Sequence, residues 1–247
     1  MRSAAPRLLV LVCLIALALS ACATRPPASE PEARAEFDAD NDPLEPLNRS
    51  LFFVHEGLDT LVLRPAAEMY RLFLPPVVRS SVTNVLANLR SPVILANDLL
   101  QGEAERARIT AERFLMNTTI GIGGLLDPAT DLGRPRHTED FGQTLAVWGV
   151  GEGFFLFVPG FGPSSARDVA GFGVDIALDP LFWLTLEPGR TLRALVVTRS
   201  TATPLSQREA LIETVDRVRR ESLDPYATFR SGWRQLRQRD ILNGRPE

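Results

Sequence analysis

His55 and His137 are the only histidines in the 247-residue chain. Neither has a second histidine or a cysteine at the spacing a zinc site needs, so no metal site is expected. Gly162-Pro-Ser164-Ser165-Ala166 brings serines to a tight turn, as an acyl-transfer nucleophile would require. A nucleophile elbow needs glycine where Ala166 stands, and Ser164 therefore reads as a helix cap. Arg167-Asp168 has the composition of an active-site pair, and equally of a structural salt bridge beside a glycine-rich turn. Gly121-Ile-Gly-Gly124 lacks the later glycine, preceding strand and lysine of phosphate-cradling loops. Asp38-Ala-Asp40-Asn-Asp42 is spaced like a calcium loop, but Pro43 takes its glycine position and Arg49 its closing glutamate. Asn41-Asp42-Pro43 reads instead as a turn and helix start. No catalytic constellation assembles, so the chain is read as a non-enzyme that needs no cofactor.

The clearest chemistry belongs to Cys22. Arg2 and Arg7 precede an apolar run, Leu8 to Leu19, that is too short to span a bilayer, and Leu19-Ser-Ala-Cys22 follows. This matches a bacterial lipobox, in which the cysteine thiol is acylated and becomes the mature N-terminus. The expected organisation is a signal peptide over 1–21, a lipidated tether over 22–36 and a folded domain over 37–244. Ala23, where an aspartate would favour the inner membrane, directs the anchor to the inner leaflet of the outer membrane, facing the periplasm. The tether is rich in Pro, Ala and Glu and cannot bury a core.

Losing Arg2 and Arg7 with the signal takes two positive charges from the formal −3 and leaves −5, which speaks against nucleic acid as a partner. All 27 basic residues are arginine, so Schiff-base and lysine general-base chemistry are excluded. Cys13 leaves with the signal and Cys22 carries lipid, so the domain has no thiol for a disulfide.

The elements that position these residues read as mainly α. Leu44 to Met69 is helix-compatible with an interruption near Arg64-Pro65. Val77–Leu89 and Pro92–Leu100 read as two helices, the second closed by Gly102. Glu103–Thr118 is expected to turn Ala107, Ala111, Phe114 and Leu115 inward. Residues 119–136 and 141–163 hold too many glycines and prolines for regular helix. Val169 to Leu186 is apolar but punctuated by Asp175, Asp179 and Pro180, which argues for a helical hairpin or re-entrant structure and against a membrane span. Ser206-Gln-Arg-Glu209 has the form of a capping box, and Asp224-Pro225 opens a last helix. No strong alternating strand pattern stands out. Apolar, glycine-rich stretches at 119–126, 141–163 and 169–186 exceed what one soluble core would need.

A set of ordered segments resembles the MlaA/VacJ family of outer-membrane lipoproteins. It opens with Asn41-Asp-Pro-Leu-Glu-Pro-Leu-Asn48-Arg49, followed by Arg64-Pro65, Asn88-Leu-Arg-Ser-Pro92 and Asn97-Asp-Leu-Leu-Gln101-Gly102. It continues with Arg113-Phe-Leu-Met-Asn117-Thr118, Gly121-Ile-Gly-Gly124 with Asp127, Glu139-Asp-Phe-Gly142-Gln-Thr-Leu and Trp148-Gly-Val-Gly151-Glu-Gly153. Pro159-Gly-Phe-Gly162-Pro-Ser-Ser-Ala-Arg167-Asp168 and Asp224-Pro225-Tyr226 complete it. The resemblance implies an all-α, single-domain helical ring with a central amphipathic channel, without a transmembrane span. It further implies removal of phospholipids mislocalised in the outer leaflet, their transfer to an MlaC-like periplasmic carrier, and association with a trimeric porin. On this reading Asn48, Arg49, Asn88, Asn97, Asn117 and Asp127 face the channel or its polar network. Phe154, Phe155, Phe157 and Trp183 form a membrane-facing rim. A bracing envelope lipoprotein and a lipid-modifying hydrolase are the alternatives.

Overall fold

The computed structural model describes residues 29–32, 41–184 and 190–245. The signal peptide, Cys22 with most of the tether, residues 37–40 and Leu186 lie outside the described residues.

Asn41, with φ +47°, turns the chain into α1 (Glu45–Leu58), which carries Pro46 and Glu45 in its first turn. The helix runs without a break into a π turn (Asp59–Leu63) and α2 (Arg64–Phe73). Pro65 has no N–H to donate, and the wider turn, in which the Arg64 N–H reaches Asp59 O, absorbs that loss. The expected interruption is therefore a bulge.

Pro75-Pro76 starts α3, which runs 25 residues to Leu100 with Pro92 inside it, where two helices were expected. An interior proline costs about 3 kcal/mol. Tertiary burial of Asn88, Ser91, Val93, Ile94, Asn97 and Asp98 on either side of Pro92 holds the helix through it. Helix α4 (Ala104–Thr119) buries Ala107, Thr110, Arg113 and Asn117, while Leu115 is exposed. Its inward face is polar because Thr110 bonds Asp98 of α3, while Arg113 and Asn117 bond Asp127 in the segment that follows.

A short α5 (Pro128–Asp131) is capped by Asp127, and α6 (Phe141–Val147) by Asp140, so the glycine-rich stretches contain two brief helices. Strands β1 (Phe155–Val158) and β2 (Gly162–Ser165) pair antiparallel, Phe155 opposite Ser165 and Val158 opposite Gly162. Helices α7 (Ala166–Leu178) and α8 (Pro180–Leu184) form the expected helical hairpin, broken at Asp179-Pro180. Ser165 rather than Ser164 caps α7, accepting from Asp168 N at 3.1 Å. The Ser206–Glu209 segment lies inside α9 (Arg190–Ala210), and the next helix, α10, begins only at Ile212 and ends at Glu221. Ser206 instead hydrogen-bonds Thr83 on α3, so tertiary contact overrides the local cap. Asp224 caps the last helix, α11 (Pro225–Ile241).

These elements close on themselves. Helix α3 packs on α7, α7 on β2, β2 on β1 and β1 on α1. The π turn carries α1 into α2, α2 packs on α9, and α9 returns to α3. The fold is an all-α helical ring with one hairpin in its wall, and among the described residues no helix is long and apolar enough to cross a membrane.

What fills the wall is unusual. Among the described residues, twenty polar or charged side chains are buried against nine apolar ones, while Phe53, Leu61, Leu72, Phe73 and Val77 stand outward. The main apolar cluster joins Phe155, Phe157 and Tyr226 to Leu51, Phe52 and Trp233 through edge-on ring contacts.

Helix α6 reaches α7 through glycines. A Cβ on Gly171 would lie 2.8 Å from Gly142 Cα and 3.0 Å from Phe141 C, both backbone atoms that cannot swing aside. Gly171→Ala should lower unfolding free energy by about 2 kcal/mol. Gly173→Ala, which meets open space, should be neutral or mildly stabilising. Denaturant unfolding of the two variants in detergent separates them.

Candidate functional site

Three cavities adjoin one another through shared residues. The first, about 300 Å3, lies between Arg90 of α3, the hairpin, α7 and α11. The second, about 220 Å3, is walled by α1, the π turn, the hairpin, α9, α10 and Phe229 of α11, and shares Phe161 and Pro163 with the first. The third, about 70 Å3, lies between α3, α4 and the 136–138 segment, and shares Arg90 with the first. The walls of the first two draw on every member of the closed circuit except α2.

The lumen is amphipathic by construction. Phe161 and Phe172 meet edge-on at 5.6 Å at one side of the first cavity. The same cavity is lined by an ionic ladder. Arg237 donates to both Asp140 oxygens at 2.6 Å and pairs its Nε with Asp168 at 2.8 Å, and Arg167 Nε donates to Asp168 at 3.1 Å. Burial alone would raise the Asp140 carboxyl, but the Arg237 fork outweighs it and holds Asp140 down at about 2. In the second cavity Asp59 accepts from Arg208 at 2.6 and 2.9 Å and from Arg219 at 2.7 Å. Burial opposes ionisation there too, and the two arginines outweigh it, keeping Asp59 below the usual carboxylate range.

The sequence-chosen polar residues fall into separate roles. Asn88 and Asn117 line the third cavity. Asn88 donates to Thr118 at 2.9 Å, and Asn117 donates to Asp127 at 2.9 Å while accepting from Ala129 N. Asp127 also gathers Arg113, Arg136 and Thr130, and although burial would raise its carboxyl, Thr130, Asn117 and Arg113 hold it low. Asn97 is wholly buried and ties α3 to Asp175 of α7 at 2.9 Å and to Thr144 of α6 at 2.8 Å. Asn48 is also wholly buried, donating to Asp42 and Phe155 O and accepting from Phe157 N, which fastens α1 to β1. Arg49 lines none of these cavities. It sits over the Tyr226 ring and donates to Glu45 and Asp224, pinning α1 to the start of α11.

Phe155 and Phe157, expected on a membrane-facing rim, are buried at 0 % and 3 % exposure. The strand alternation of β1 turns them into the core, a pattern that the uniformly apolar Phe154–Val158 run conceals. Phe154 and Trp183 are exposed, and Trp183 donates to Ala177 O at 2.7 Å. Ser164 lies in β2 on the wall of the first cavity, whose lining holds no histidine. The lumen residues that sequence reasoning did not select are Arg90, Asp140, Arg237, Asp59, Arg208 and Arg219. Arg90 lies inside the family motif Asn88-Leu-Arg-Ser-Pro92, which is the one sequence signal that could have drawn attention to it.

The profile of the MlaA lipoprotein family matches residues 40–240. The chain belongs to the MlaA lipoprotein family. It is 33% identical over 209 residues to the Escherichia coli K12 protein named intermembrane phospholipid transport system lipoprotein MlaA, covering 83% of this chain and 79% of that one. The Haemophilus influenzae protein of the same name is 30% identical over 237 residues, 94% of this chain and 89% of that one. A Rickettsia bellii protein is 34% identical over 201 residues, 81% of this chain and 76% of that one. A solved MlaA-type chain, from work on the "structural basis for maintenance of bacterial outer membrane lipid asymmetry", superimposes with a TM-score of 0.70 at 31% identity, covering 81% of this chain and 98% of that chain.

The lumen ladder carries a pH signature. The Asp140 carboxyl sits at about 2 when folded against an ordinary 3.8. Its contribution to stability is full above pH 4 and fades as pH falls toward 2, by about 2 kcal/mol. Glu139 and Asp175, raised by burial, act in the opposite sense, contributing stability that is lost as pH rises through their folded pKa values. Asp140→Asn should therefore shrink the stability difference between pH 7 and pH 3, measured by denaturant unfolding at the two pH values.

Proposed function

We propose that this chain moves phospholipids, chemically unchanged, out of the outer leaflet of the outer membrane and on to a periplasmic carrier. The observation that carries this reading is the ring itself. Large apolar side chains such as Phe53, Leu61, Leu72 and Phe73 are exposed, paired charges line the cavities, and the cavities adjoin one another through shared residues. A phospholipid headgroup crossing an apolar layer needs a polar path, because unpaired polar groups in hydrocarbon cost several kcal/mol each. Acyl chains need the reverse, and the Phe161–Phe172 edge offers it within the same lumen. The relatives in E. coli and H. influenzae are named as lipoproteins of an intermembrane phospholipid transport system, which supports the same assignment.

The Cys22 acyl anchor would hold the ring in the inner leaflet, with the carrier approaching from the periplasm and a trimeric porin beside it. Exposed Phe53, Leu61, Leu72 and Phe73 on α1, the π turn and α2 suit an apolar surrounding. A strain lacking the gene should accumulate surface-exposed phospholipid and become detergent-sensitive, and the wild-type gene should reverse both. The gene carrying Cys22→Ala should not, even where the domain is folded and exported. Full rescue by that unlipidated form would remove the anchor from the mechanism, and normal outer-leaflet composition in the deletion strain would remove transport itself.

A further inference from the structure

Arg90 is the side chain common to the first and third cavities. It is half-buried, its Nε is closed off from solvent without a hydrogen-bond partner, and no described side chain forms an ion pair with it. The other lumen arginines are committed: Arg237 to Asp140 and Asp168, Arg113 to Asp127, Arg208 to Asp59. Of the carboxylates lining the first cavity, Asp140 and Asp168 are taken up by Arg237 and Arg167. Asp175 uses only Oδ1, which accepts from Asn97 at 2.9 Å and from Phe141 N at 3.0 Å. Its Oδ2 receives no bond from a described residue. Burial raises the Asp175 carboxyl and the Asp140 charge adds to that, while the charge of Arg90, which makes no direct ion pair with it, lowers it only in part. Among the described residues, the cavity thus displays one uncommitted cation and one uncommitted carboxylate oxygen, beside an apolar wall that includes Val158, Phe161 and Phe172.

We propose that Arg90 and Asp175 form a headgroup site for a zwitterionic phosphodiester, the phosphate on the Arg90 guanidinium and a primary ammonium on Asp175 Oδ2. The inference rests on the transport reading and adds to it a preference for aminophospholipid. A volume of about 300 Å3 suits a headgroup rather than a whole diacyl lipid, and the chains would leave past Phe161 and Phe172. A guanidinium half out of water gains most from a bidentate oxyanion, which is what a phosphodiester offers.

The test is binding to the purified full-length protein in detergent. The probes are dihexanoyl-phosphatidylethanolamine, dihexanoyl-phosphatidylglycerol, dihexanoylglycerol and inorganic phosphate. Arg90→Leu should weaken both phospholipids by about tenfold or more, leave dihexanoylglycerol unchanged and keep the wild-type unfolding midpoint, because it removes no internal bond. Arg90→Gln should do the same, and Arg90→Lys should recover part of the affinity. Asp175→Asn keeps the Oδ1 acceptor and should still bind phospholipid, while losing the preference for phosphatidylethanolamine over phosphatidylglycerol. Unchanged phospholipid affinity in Arg90→Leu and Arg90→Gln, with wild-type binding intact, overturns the Arg90 assignment alone. An unchanged lipid preference in Asp175→Asn overturns the ammonium half. Inorganic phosphate binding as tightly as the lipids would make this a free-anion site and overturn the headgroup assignment. A wild-type protein that binds neither phospholipid sinks the transport reading, and this inference with it.

Discussion

Arg237 grips Asp140 with both terminal nitrogens and reaches Asp168 with its Nε, and the same kind of saturation recurs around Asp59 and Asp127. This pairing of interior carboxylates with arginine forks is the constraint on which the rest of the molecule depends. A ring that keeps its apolar residues outside must hold its wall together with something else, and here much of that role falls to charge. Breaking one member of such a cluster strands a partner away from water, at a cost far above that of an exposed surface pair. The complete absence of lysine fits this architecture, since a point-charge ammonium cannot bridge two carboxylates in a fixed plane.

The ionic clusters also set where the backbone must come close. The Asp175–Asn97–Thr144 bonds join α7, α3 and α6 at one point, and Gly171 against Gly142 is what allows α7 and α6 to meet there. Neither device works alone. A larger residue at either glycine would separate the helices and lengthen the hydrogen bonds beside them. The hairpin is fastened by similar means, with buried Asn48 satisfying Phe155 O and Phe157 N from α1 while the strand's side chains enter the aromatic cluster.

Because most charges that line the first two cavities are held in ion pairs, a charge left without one becomes informative. Most charges facing the lumen are neutralised by a neighbour, which leaves a smooth polar lining that a headgroup could pass without being trapped. Arg90, with the free oxygen of Asp175 in the same cavity, departs from that pattern. Tight ligand capture and rapid passage are opposed requirements, and on the proposed transport reading a single pair without a direct ion partner would be a compromise between them.

Much of this protein was legible in its sequence. The ordered motifs from Asn41 to Tyr226, the helical character and the Asp179-Pro180 break all follow from local chemistry, which short segments carry by themselves. Asn48, Asn97 and Asp127 were marked by the family motifs in which they stand. The tertiary structure alone decided who those partners are. It made α3 one helix through Pro92, drew Ser206 into the C-terminal part of α9 and turned α4 to bury Arg113 and Asn117 rather than Leu115. It sent Phe155 and Phe157 into the core and Arg49 to the outside. The physical reason is the same in each case. Periodicity assumes that apolar faces turn inward, and in a ring walled by ion pairs and surrounded by apolar exposure that assumption fails, so only the closed set of contacts fixes which face is which.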